Sequence, residues 1–77
     1  MLQQDPIKQK MQLIGRHLTF LREGKRLSIG TVAAITGINE ARLQKIEEGI
    51  ADPLFSEMEA LALGYGCHFH ELFPEDV

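Results

Sequence analysis

The stretch INEARLQKIEEG, residues 38–49, holds the side chains with most to offer a ligand. A cap at Asn39, apolar residues at Leu43 and Ile46 and a stop at Gly49 predict a short helix, with Glu40, Ala41, Arg42, Gln44 and Lys45 facing outward. These groups suit the edges of base pairs. Gln44 can pair with N6 and N7 of adenine, Lys45 with O6 and N7 of guanine, Arg42 with guanine or a phosphate, and Glu40 with N4 of cytosine. The plainer alternative is a solvated helix face on which Glu40 only complements the helix dipole. A second constellation, Cys67, His68 and His70 with His17 elsewhere, invites a metal. Cys-His-x-His lacks the paired spacing of a structural zinc site, so surface histidines and no metal are expected. No carboxylate pair, glycine-rich phosphate loop or placed nucleophile stands out, so neither an enzyme nor a small-molecule cofactor is expected.

The net charge of −3 argues against a polyanion partner, but its distribution argues for one. Residues 1–45 carry all eight Lys and Arg against three acids, for +5, whereas the rest carries eight acids and no base, for −8. Such a split suggests two faces with different partners, the alternative being an acidic end that only aids solubility. Seventy-seven residues predict a single domain over 1–77, and 44% apolar content is enough for a core. Cys67 is the only cysteine, which rules out an intramolecular disulfide. No apolar run approaches the roughly 20 residues of a membrane span, and the N-terminus lacks a signal-peptide core. A soluble cytoplasmic protein without membrane contact is expected.

Asp5-Pro6 is a helix start, and Ile7, Met11, Ile14, Leu18 and Leu21 form one stripe on a first helix that ends at Gly24 and Lys25-Arg26. Ser28 caps a short second helix with Val32, Ala33 and Ile35 as its inward residues, stopped by Gly37. Asn39 starts the third. Two helices meeting around one glycine form a helix-turn-helix signature, here over 28–48. After Pro53 a fourth helix runs through Phe55, Met58, Leu61, Ala62 and Tyr65 to Gly66. CHFHELFP then predicts a one- or two-turn fifth helix whose Phe69, Leu72 and Phe73 can dock on the core or on a second subunit.

Taken in order, these residues resemble the Cro and lambda-repressor type of helix-turn-helix, the xenobiotic-response-element family, over about 14–73. IGRHLTFLRE is similar to that family's first helix and LSIGTVAAITGI to its second. INEARLQKIEEG resembles the helix the family lays in the major groove, and DPLFSEMEALALGYGCHFHELF the fourth and fifth. The resemblance implies a compact all-α, five-helix lambda-repressor-like domain. Within it Ala33 must be small, Gly37 makes the turn, and Leu43 and Ile46 anchor the reading helix, while Arg22 pairs with Glu47. It also turns the caps Ser28 and Asn39 toward the DNA backbone, where they, Thr31, Lys25, Arg26 and Arg16 become phosphate-binding candidates.

The expected function is therefore sequence-specific double-stranded DNA binding by a small transcriptional regulator. A homodimer is expected, through Phe69, Leu72 and Phe73. Three departures weaken the phosphate contacts: Ile29 where the family usually has Gln, Arg26 where Gly is frequent, and Ile50-Ala51-Asp52 in a loop that is commonly basic or Asn-rich. Weaker or more salt-sensitive binding follows from them. The competing expectation is a protein-interaction module, antitoxin-like or accessory, that docks a protein partner on an apolar patch of Ile29, Ile50, Ala51 and Leu54.

Overall fold

The computed structural model describes residues 5–75, and within them the chain forms four α-helices and one short 3-10 helix. Local chemistry accounts for the boundaries. Helix α1, Pro6–Gly24, begins with proline in its first turn and Asp5 accepting from the amide of Ile7 at 2.9 Å. Helix α2, Ile29–Thr36, starts where Ser28 Oγ accepts from the Thr31 amide at 3.1 Å and stops at Gly37, whose φ of 79° favours glycine. Helix α3, Glu40–Glu47, is capped by Asn39 Oδ1, which accepts from the amides of Ala41 at 2.9 Å and Arg42 at 3.2 Å. Helix α4, Phe55–Tyr65, follows Pro53, and its opening amide at Leu54 donates to Glu57 Oε1 at 2.8 Å.

The fifth element corrects the expectation of a fifth α-helix. Residues Phe69–Leu72 make a single 3-10 turn, and Phe73 is extended (φ −106°, ψ 135°). Pro74 disfavours the helical conformation at the residue before it, leaving too little chain for an α-helix.

Each element contributes to one core: Leu18 from α1, Val32 from α2, Leu43 and Ile46 from α3, Leu61 from α4 and Leu72 from the 3-10 turn, all essentially inaccessible. Fully burying one such side chain stabilises by about 1.5–3 kcal/mol, so this layer supplies much of the driving force. Three expected stripe residues stay outside it. Ile7 lies in the first turn of α1, where residues 6–10 are all exposed, Phe55 opens α4, and Ile35 sits on the outer side of α2 facing Gly64.

Two glycines set how closely α1 meets the end of α3. A methyl on Gly15 would lie 2.7 Å from the carbonyl oxygen of Ile46 and collide harder still with that of Glu47. At Gly49, φ is 77° and a methyl would lie 2.7 Å from Cα of Gln12. The backbones of α1 and α3 are thus in direct contact, which fixes the inclination of α3 on the body.

Candidate nucleic-acid interface

Helix α3 turns Leu43, Ile46 and Glu47 inward and leaves Glu40, Ala41, Gln44, Lys45 and Glu48 exposed. Its eight residues span about 12 Å, a length that a DNA major groove accepts. Beneath it Arg22 and Glu47 form a two-point contact, Nε to Oε2 at 2.8 Å and Nη2 to Oε1 at 3.1 Å. Arg22 Nη1 also donates to the Leu27 carbonyl at 2.9 Å, and Thr19 Oγ1 donates to Glu47 Oε1 at 3.1 Å. The side chains of Arg22 and Glu47 are 14% and 6% exposed, and the hydrogen bond that Arg22 donates to Glu47 raises the guanidinium pKa above its ordinary value. A buried pair of this kind orients more than it stabilises. It ties α3 to α1 and to the entry of α2, fixing the direction in which the outer face of α3 points.

The capping residues Ser28 and Asn39 are exposed at the starts of α2 and α3, with Thr31 exposed beside Ser28 and accepting from its hydroxyl at 2.8 Å. Lys25, Arg26, Arg16 and Lys45 are exposed as well. Ala33 is half-buried against the core. Arg42 departs from expectation. Its guanidinium is held by Glu57, Nε to Oε2 and Nη2 to Oε1 both at 3.0 Å, and Nη2 donates to the Asp52 carbonyl at 2.9 Å. The expected outward, base-facing Arg42 is thereby replaced by a clamp joining α3 to the loop and start of α4. Glu57 is pulled below the ordinary carboxylate value, chiefly by that hydrogen bond. Gln44 Nε2 donates to Glu48 Oε2 at 3.3 Å, a contact at the long end of the range, and its amide oxygen has no partner among the described residues.

Leu72 corrects a second expectation, because it is completely buried in its own chain and cannot meet a partner. Phe69 and Phe73 are half-buried, their rings tilted by 49° with centroids 5.4 Å apart, and Phe55 packs on Phe69 at 4.9 Å. Phe55, Ala62, Leu63, Cys67 and Phe69, with Glu59 and His68, line an open groove of about 500 Å³. The envisaged patch of Ile29, Ile50, Ala51 and Leu54 is also split. Ile29 and Ala51 pack on the core, whereas Ile50 and Leu54 are 65% and 60% exposed. Cys67 is a half-buried thiol whose pKa burial pushes up, and His68 and His70 stack on each other. Among the described residues no three His, Cys, Asp or Glu side chains gather as a metal group, and no helix is long and apolar enough to cross a membrane.

Two helices joined at a left-handed glycine, the second exposing a polar face and braced from below by an Arg–Glu pair, define a helix-turn-helix protein. The chain belongs to the helix-turn-helix domain family, whose model matches residues 13–72, and it is of the Cro and lambda-repressor type. Among solved structures it is similar to the restriction-modification controller protein C.AhdI from Aeromonas hydrophila, with a TM-score of 0.80 and 27% identity over 82% of this chain and 96% of that one. It is also similar to an HTH_3 family transcriptional regulator from Vibrio cholerae, with a TM-score of 0.81 and 27% identity over 86% of this chain. The match spans 37% of the Vibrio regulator's length. No curated protein matches the sequence.

Proposed function

We propose that the chain binds double-stranded DNA sequence-specifically as a small transcriptional regulator, with α3 in the major groove. The observation that carries this reading is the exposed set Glu40, Ala41, Gln44 and Lys45 on a helix whose angle is fixed by Arg22–Glu47 and by the glycine contacts with α1. Rigid placement of the reading groups is what base discrimination needs. Ser28, Thr31 and Asn39, with Lys25, Arg26 and Arg16, are the phosphate-binding groups. Arg42 acts as a structural clamp. The likeness to a controller protein, covered nearly end to end, supports a regulatory role.

The active form is a homodimer. Its apolar contact is formed by Phe55, 67% exposed, and Leu63, 84% exposed, with Phe69 and Phe73 at the edge. Double replacement of Gln44 and Lys45 by Ala tests the assignment. Both side chains are exposed, so folding should be unaffected while preference for the selected site over random duplex drops at least about tenfold. A doubly substituted protein that still prefers its site would overturn the assignment. Exposed Ile50 and Leu54 favour the second reading, a protein-interaction module, in which DNA affinity is weak or absent in the parent protein too.

A further inference from the structure

The direction of α3 is fixed at two places. Its C-terminal end rests on α1, through Arg22–Glu47 and the backbone contacts at Gly15 and Gly49. Its first turn is held by Arg42, whose Nε and Nη2 donate to the two oxygens of Glu57 on α4, both at 3.0 Å, while Nη2 also donates to the Asp52 carbonyl at 2.9 Å. Glu57 Oε1 accepts in addition from the amide of Leu54 at 2.8 Å, so the oxygen that closes the start of α4 also grips α3. Among the described residues, Arg42 and Glu57 make the only side-chain hydrogen bonds that join α3 to α4. Phe55 and Leu63, the exposed apolar residues of α4, lie on the same helix as Glu57, Phe55 two positions before it. The grip therefore connects the helix assigned to the groove with the helix assigned to the subunit contact.

We propose that Arg42 and Glu57 are positioning residues that set the distance between the two α3 helices of the homodimer, and so the half-site spacing that it accepts. This inference rests on the DNA-binding and homodimer readings above and deepens them. The eight residues of α3 span about 12 Å, so a tilt of about 10° around the end on α1 moves the other end by about 2 Å. Two-fold symmetry doubles this to about 4 Å, more than the roughly 3.4 Å rise of one base pair. One base pair also turns the second half-site by about 34° around the DNA axis. A duplex that is off by one base pair thus loses contacts at one half-site unless α3 can swing. A two-point guanidinium–carboxylate contact resists swinging, because it fixes direction as well as distance. With side chains 35% and 15% exposed, the pair is screened enough that its effect falls on geometry more than on folding.

The experiment first selects half-sites from a randomised duplex pool with the parent chain, Arg42→Lys and Glu57→Gln. Each protein is then titrated against duplexes carrying two half-sites at the selected spacing and at one base pair more or less. The parent should bind the selected spacing at least about tenfold more tightly than either neighbour. Arg42→Lys keeps the charge, but an ammonium has no fork to span both carboxylate oxygens. Glu57→Gln keeps an oxygen for the Leu54 amide and turns its NH2 group toward the guanidinium, donor against donor. In both variants the contrast between spacings should fall at least about threefold. The half-site bases should stay the same, since Gln44 and Lys45 are untouched. Both substitutions retain polar side chains of similar size, and thermal unfolding checks that the proteins compared are folded. If either variant keeps the parent's contrast, the positioning role is overturned while DNA reading stands. It is equally overturned if Arg42→Lys changes the base preferred at any position, which would make Arg42 a reading residue. A parent that enriches a half-site but is indifferent to spacing contradicts the homodimer reading and this inference with it. If none of the three proteins enriches any sequence, the DNA-binding reading itself fails.

Discussion

At φ 57°, Arg26 holds the left-handed conformation that glycine adopts at no steric cost, and its side chain is exposed. The strain is about 1 kcal/mol, partly offset in a glycine variant by the greater freedom of its unfolded chain. Arg26→Gly is therefore expected to gain about 0.5 kcal/mol in denaturant unfolding, while the salt dependence of DNA binding falls by about one unit of slope. Tyr65 gives a second case. Its hydroxyl is buried with no hydrogen-bond partner among the described residues, and burial pushes its pKa up to about 12. Tyr65→Phe should be neutral or stabilising by up to about 1 kcal/mol in the same measurement. A clear loss would reveal a hydrogen bond that the hydroxyl makes after all. The contact least legible in the sequence is that of Arg42. Its partner Glu57 lies fifteen positions away on another helix, and no local pattern announces a contact that depends on how α4 docks.

Elements were legible where their signals are local. Asp5, Ser28 and Asn39 cap the helices they were expected to cap, and Gly37 and Gly66 end α2 and α4 in left-handed turns. Apolar spacing was less informative, because it marks a residue as buried without saying against what. The spacing leaves Leu72 open to the core or to a second subunit, and it fills its own core, while Ile35, with inward spacing, stays 55% exposed. Gly15 has no turn or cap signal around it, and only its place inside an amphipathic helix hints at close approach. Gly15→Ala should cost about 2 kcal/mol or more despite its better helix propensity, because backbone of α3 stands where the methyl would go. Unfolding midpoints measure this, and a stabilised variant would contradict the contact. The Arg42–Glu57 clamp makes a pH-dependent prediction. Glu57 titrates below its ordinary 4.5 in the folded protein, so its contribution is full above that value and is lost as pH falls through the depressed one. Arg42→Ala should thus be less stable than the parent at neutral pH, with the gap narrowing in acid. A gap that stays constant down to about pH 3 would show that the clamp does not couple to protonation.

For the whole molecule, the net charge of −3 is less relevant than its arrangement. Lys8, Lys10, Arg16, Lys25, Arg26 and Lys45 are exposed and all precede residue 46, while Arg22 and Arg42 are consumed by internal pairs. The body measures 42 × 24 × 22 Å, so even its short axis is about two Debye lengths at ordinary salt, and charges on opposite sides of it are largely screened from one another. Acids near α3, Glu40 and Glu48, lower the positive potential of that face. Selection of duplexes by the parent chain from a randomised pool at about 50 mM salt tests the central claim most directly. The account predicts enrichment of a two-fold related site with half-site centres about 34 Å apart, one turn of DNA. Failure to enrich any sequence, with bulk duplex bound no more tightly than about 10⁻⁴ M, would contradict it.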